Sequence, residues 1–131
     1  MRLKQEELTN RKIWEEKGFV LPEFDRNKMI EETKKNPEWI HFGAGNIFRA
    51  FPAAVAQDLL NKGILKTGII VAEGYDYEII EKSYKTYDNL SLLVTLKANG
   101  NLENKVIASI AESLSVDTKN ENDWARLVEI F

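Results

Sequence analysis

The chain has no cysteine and only one histidine, His41, in 131 residues. Lack of thiol excludes disulfides, thiolate metal ligands and cysteine nucleophiles. A lone imidazole excludes any zinc centre that needs two. Basic residues are not in excess either: 18 Lys and Arg face 21 Asp and Glu, for a net charge of −3. That balance argues against a nucleic-acid-binding surface, which needs a basic face. No apolar run approaches the roughly 20 residues of a membrane span. The start, Met1-Arg2-Leu3-Lys4-Gln5-Glu6-Glu7, lacks the apolar core of a signal peptide. With 44% hydrophobic and 30% charged residues the composition is that of an ordinary globular protein. The expectation is one cytoplasmic domain, with no nucleic-acid or membrane partner.

The first third is sparse in signal. Leu3 to Lys17 has a thin apolar set, Leu8, Ile13 and Trp14, and Gly18 is placed to end any helix there. Val20-Leu21-Pro22 reads as an extended connector, and Asp25 as the N-cap of a helix that must stop before Asn36-Pro37. From Trp39 the pattern sharpens. The run Trp39-Ile40-His41-Phe42 stops at Gly43-Ala44-Gly45, and Ile47, Ala50, Phe51, Ala54, Val55 and Leu59 then follow helical steps. The helix should end at Asn61-Lys62-Gly63, ahead of the continuous strand Gly68-Ile69-Ile70-Val71-Ala72. This is a β-α-β unit of about thirty residues. Beyond it the pattern predicts a short helix over 76–84, a strand over 90–96, a hairpin turn at Asn99-Gly100 and a returning strand over 106–110. Trp124, Leu127, Val128 and Phe131 mark one apolar face of a last helix, capped by Asp117 or Asn120. The fold class is therefore α/β: a Rossmann-type parallel sheet with an added β-hairpin, incomplete at the C-terminus. Residues 1–36 form an amino-terminal helical extension and 37–131 a partial nucleotide-binding domain. The uncovered last helix leads us to expect self-association.

Gly43 and Gly45 follow a strand and open a helix, the spacing of a dinucleotide-binding turn. The first permits the tight turn; the second lets backbone amides approach a pyrophosphate. Phe48 stands where a third glycine is usual, so a tight turn that binds nothing is the competing interpretation. Glu73, at the end of the second strand, is placed to accept hydrogen bonds from a ribose, or else is a solvated carboxylate. No arginine neighbours it, which favours NAD over NADP. Arg49, in the first helical turn, either meets an anion or forms an ion pair. Asn46 is more naturally a helix cap than a phosphate contact, and His41 a partly buried structural residue. Trp39 and Trp124 are core candidates. No nucleophile with a base and no paired carboxylates at ligand spacing are visible, so catalytic and metal-ligating residues are both absent from the expectation.

The stretch Trp39 to Leu60 resembles the polyol-specific long-chain dehydrogenase family, whose Gly-x-Gly-x-x-x-Arg-Ala pattern falls on Gly43, Gly45, Arg49 and Ala50. The resemblance runs from the Leu-Pro connector through Tyr87 to Leu96 and on to Ile107-Ala108-Ser109-Ile110. Asn46-Ile47-Phe48-Arg49 replaces the Phe-His-Arg common in mannitol dehydrogenases and tilts the resemblance to the hexuronate reductases. It implies an NAD-binding amino-terminal domain, with catalytic lysine and most of the sugar-acid or polyol pocket in a helical carboxy-terminal domain absent here. Gly43, Ala44, Gly45, Asn46 and Phe48 would then lie by the pyrophosphate, Glu73 by the ribose and Arg49 by an anion. A non-catalytic nucleotide-binding or interaction module is the alternative of another class.

Overall fold

The computed structural model describes residues 1–131. Helices are α1 (Arg11–Glu16), α2 (Arg26–Lys35), α3 (Asn46–Ala50), α4 (Pro52–Asn61) and α5 (Glu121–Ile130). Strands are β1 (Phe19–Val20), β2 (Ile40–Phe42), β3 (Ile69–Glu73), β4 (Ser91–Leu96), β5 (Leu102–Ile107) and β6 (Ile110–Ser115). They form two three-stranded sheets, one in the order β2-β3-β6 and the other β1-β5-β4.

The first sheet is entirely parallel. Its middle strand, β3, has Ile69, Ile70, Val71 and Ala72 with no exposed surface, because both faces are covered. Ile69 and Val71 pack with Phe48, Ala53 and Ala56 of α3 and α4, while Ile70 and Ala72 pack with Leu114 and Leu127 of β6 and α5. The alternation of one apolar run between two layers follows from the period of two along a strand. Side chains of this size contribute roughly 1.5–3 kcal/mol each on burial.

Gly68 sits where the sheet begins. A Cβ there would lie 2.3 Å from the Ser109 carbonyl and 2.5 Å from the Met29 sulfur, so no other residue fits without displacing backbone. Its N–H donates to the buried Thr33 hydroxyl at 2.9 Å, which ties α2 to the sheet.

Several expectations are corrected. The helix after the glycine turn is two helices, broken at Phe51, because Pro52 has no N–H to continue the ladder and instead starts α4. The inward face also differs: Phe48, Ala53, Ala56 and Leu60 are buried, whereas Ile47, Phe51 and Val55 are exposed. The break resets the helical phase, and packing against β3 selects the buried side. The returning strand expected over 106–110 spans two strands instead: β5, Leu102–Ile107, returns antiparallel to β4, and after Ala108-Ser109 the chain enters the other sheet as β6, Ile110–Ser115. Phe19–Val20 pairs with β5 and so is more than a connector. In α5, Asp123 and Leu127 face inward while Trp124, Val128 and Phe131 are exposed. Trp14, not Trp124, is the buried tryptophan.

Other expectations hold in place. Asp25 caps α2 by accepting the Lys28 N–H at 3.1 Å, and Asn120 caps α5 through the Asp123 N–H. Gly63 and Gly100 adopt positive φ at the ends foreseen for α4 and the hairpin turn. Residues 1–36 pack their own small cluster, Leu8, Trp14 and Leu21, on Leu90, Val106 and Ala108. Arg26 fastens this layer from within. Nine-tenths and more buried, it donates to the Ala108, Ile110 and Asp88 carbonyls and to the Gln5 amide oxygen. Burial brings its guanidinium down to about 10, and the nearby Asp88 opposes that fall.

Candidate functional site

Gly43 stands at the end of β2 with φ +110°, a backbone state that glycine enters without strain. Its N–H donates to the Ala72 carbonyl at 2.8 Å, which keeps the turn in register with the end of β3. Gly45 precedes α3 in an extended conformation, and a Cβ there would meet nothing within 4 Å. The turn thus offers open space directly beside the start of a helix. No side chain caps that helix, so its first-turn N–H groups remain available to an anion.

Glu73 closes the other side. Its Oε2 accepts the Ala44 N–H at 3.1 Å, and its Oε1 accepts the Gly74 and Tyr75 N–H groups at 3.1 and 3.3 Å. Three backbone donors hold this carboxylate at the carboxyl ends of β2 and β3, the place where open parallel sheets bind ligands. A free solvated carboxylate is not what the structure shows.

Ala44 has no exposed surface, and its carbonyl accepts the Tyr84 hydroxyl at 2.8 Å. Burial pushes the Tyr84 phenol well above its ordinary value, Arg49 pulls the other way and Glu73 adds to the rise. Tyr84 therefore acts as a neutral donor that braces the turn from below. Sequence reasoning missed this role, because Tyr84 and Ala44 lie 40 residues apart and no local spacing links them. The segment bearing them, Ile80–Tyr84, is a single π turn.

Asn46 does not cap α3. It is the first helical residue, and its side-chain oxygen is taken by the Arg49 guanidinium one turn on. Arg49 forms no ion pair; its guanidinium lies 5.5 Å from the centre of the Tyr84 ring. Phe48 is buried and stacks on the half-buried His41, ring centres 4.3 Å apart. Its side chain belongs to the core, so only its N–H can serve a ligand. No cluster of three His, Asp or Glu side chains suited to a metal is present. No helix is long and apolar enough to cross a membrane.

No family model matches the chain. D-mannonate oxidoreductase of Thermotoga maritima is 50% identical to it over 131 residues, all of this chain and 24% of that protein. The chain spans about a quarter of its relative's length. In fold, it matches the Pseudomonas fluorescens mannitol 2-dehydrogenase solved as a ternary complex with NAD and D-mannitol. That match has a TM-score of 0.73 at 23% identity and covers 98% of this chain and 24% of the other. A substrate-free D-sorbitol dehydrogenase matches with a TM-score of 0.66 at 23% identity, over 86% of this chain and 22% of the other. The Rossmann-like fold of the polyol dehydrogenases is therefore present, and the family resemblance carried by Gly43, Gly45, Arg49 and Ala50 agrees with the relative found by identity.

Proposed function

We propose that this chain is the NAD-binding portion of a cytoplasmic hexuronate reductase that interconverts D-mannonate and D-fructuronate. The observation that carries it is Glu73, clamped by three backbone N–H groups beside an open glycine turn. The 50% identity to a D-mannonate oxidoreductase supports the substrate class. Residues 37–131 form the nucleotide-binding part and 1–36 the layer that covers its hairpin.

In this assignment Gly43, Ala44, Gly45, Asn46 and Phe48 border the pyrophosphate through backbone, Glu73 receives the ribose hydroxyls, and Arg49 adds positive charge one turn into the helix. NAD supplies the hydride chemistry when bound. The residues of this chain fix and orient the cofactor and contribute no proton donor or acceptor to the reacting carbon. Tagaturonate reduction and mannitol oxidation are the neighbouring alternatives for the whole enzyme. The 131 residues alone should hold cofactor and turn over no substrate.

Calorimetric titration with NADH and NADPH tests the assignment. Glu73 would face a 2′-phosphate with like charge at about 4 Å, a repulsion that water and salt weaken without removing. NADH is expected to bind at least about tenfold tighter, the equivalent of roughly 1.4 kcal/mol. Equal affinities, or a preference for NADPH, would remove Glu73 from the ribose site.

A further inference from the structure

The turn at Asn99-Gly100 serves neither the nucleotide site nor the cores of the two sheets. Asn99 is followed by glycine, as no other asparagine of the chain is. Every residue from Val94 to Leu102 is exposed, so the tip of the β4–β5 hairpin stands clear of the rest of the fold. No side chain shields the Gly100 nitrogen, and nothing comes within 4 Å of the place its Cβ would take.

The Asn99 side chain is already turned toward that nitrogen. Its Oδ1 accepts the Asn101 N–H at 3.0 Å. This bond folds the carboxamide over the Gly100 peptide, because the ring it closes contains both Asn99 Cγ and the Gly100 nitrogen. An N–H aimed at the carbonyl oxygen also stabilises negative charge that develops there during attack on Cγ. One contact opposes attack: the Gly100 N–H donates to the Lys97 carbonyl at 2.9 Å and must first be released. Solvent surrounds the turn, so opening it locally requires no loss of core packing. Other asparagines are held differently. Asn61 Oδ1 accepts the Glu23 N–H and Asn89 Oδ1 the Ser113 hydroxyl across the fold, while Asn27 and Asn122 lie inside helices.

We propose that Asn99 is a site of spontaneous deamidation, with water as the co-reactant. The Gly100 nitrogen gives its proton to a base and attacks Asn99 Cγ. The bond from Cγ to the amide nitrogen breaks, and ammonia leaves with a proton to give a succinimide. Water then adds to either carbonyl of that ring and opens it to aspartate or to isoaspartate; nothing is oxidised or reduced. Both products add a negative charge, and isoaspartate also routes the main chain through the former side chain. The added length breaks the closing pair of the hairpin, in which the Lys97 N–H donates to the Asn101 carbonyl at 2.8 Å. It also draws the Lys97 ammonium away from Glu103, now 2.9 Å distant.

Incubation of the whole 131-residue chain in mildly alkaline buffer, followed by peptide mass spectrometry, tests this. Asn99 should convert at least about tenfold faster than any other asparagine, the equivalent of roughly 1.4 kcal/mol in barrier. The rate should rise with pH, and an isoaspartate methyltransferase should label the product at this position. Gly100→Ser should slow conversion by a similar factor, since its side chain crowds the attacking nitrogen. Hydrogen exchange over residues 96–102 should speed up in the aged chain and not in fresh Asn99→Asp, which has the charge without the lengthened backbone. Earlier conversion of another asparagine, or an unchanged rate in Gly100→Ser, would overturn the proposal. So would Asn99 intact in the folded chain after a urea-unfolded sample has converted, because the Gly100 to Lys97 hydrogen bond would then be protective. That comparison needs no variant and carries the test if Gly100→Ser does not fold.

Discussion

Gly43 and Gly45 are two residues apart and serve different needs. At φ +110° Gly43 holds a conformation that a side chain strains, so Gly43→Ala should cost about 1–3 kcal/mol in a denaturant melt. Gly45 has ordinary extended backbone and open space at its Cβ position, so Gly45→Val should melt like the parent while dinucleotide binding is lost. A melt and an NADH titration on both variants check this; NADH binding retained in Gly45→Val would place the ligand elsewhere. Asp88 makes a second case at this scale. It adopts φ 53° next to Asn89 at φ 60°, a left-handed pair that short polar side chains tolerate. Partial burial by itself would raise its carboxyl, but the Gln5 N–H, the Lys4 ammonium and Arg26 together hold it below the ordinary value. A depressed carboxyl stabilises the fold above its unfolded pKa and loses that contribution as pH falls through the folded one. Parent and Asp88→Asn should therefore differ in melting temperature at neutral pH and converge on acidification below about pH 3–4. A constant gap across that range would show that the ionised carboxylate contributes nothing.

At the scale of elements, α5 is attached to the sheet by polar contacts as much as by Leu127. Arg126 gives two hydrogen bonds to Glu112 of β6, at 3.0 and 2.6 Å, with both side chains mostly shielded. The hydrogen bonds to Glu112 keep the guanidinium protonated, raising it above its ordinary value against the effect of burial. Asp123 reaches back to accept the Ser115 N–H at 2.8 Å, which ends β6 and begins the helix contact. Glu112→Gln removes the charge pair and leaves Arg126 with the more exposed Glu129. It should cost about 1–3 kcal/mol. Hydrogen exchange should speed up in α5 before it does in β3. Uniform exchange across both would show that the helix is held by apolar packing alone.

For the whole molecule the telling surface is the unpaired edge of β2. That strand has a partner only in β3, and Phe42 at its end is exposed beside the Phe131 ring, 6.4 Å away. Trp124, Val128, Ile47 and Phe51 extend the exposed apolar area elsewhere on the chain. Open strand edges and apolar patches favour association. Light scattering over a concentration series should show dimers or larger species, and Phe42→Asp should shift them toward monomer. A parent chain that stays monomeric at every concentration would remove the edge as a contact.

The sequence by itself determined the β-α-β unit, because each part is governed by neighbours along the chain. Abrupt change from apolar run to Gly43-Ala44-Gly45, the cap at Asp25 and the Asn99-Gly100 turn are local signals with local physics. The position of Glu73 at a strand end was legible for the same reason. What only the tertiary structure decided is which side of each element is buried and which distant groups meet. Pro52 resets the phase between α3 and α4, so the inward face is chosen by β3. The stretch from Val106 to Ala111 is apolar but for Ser109, and nothing local says that the chain leaves one sheet there to enter another. Arg26 on three carbonyls, Tyr84 beneath Ala44 and Glu73 on the Ala44 N–H all join residues far apart in the chain. Their energies depend on desolvation and on partners that exist only once the sheets have packed, and sequence spacing carries no record of either.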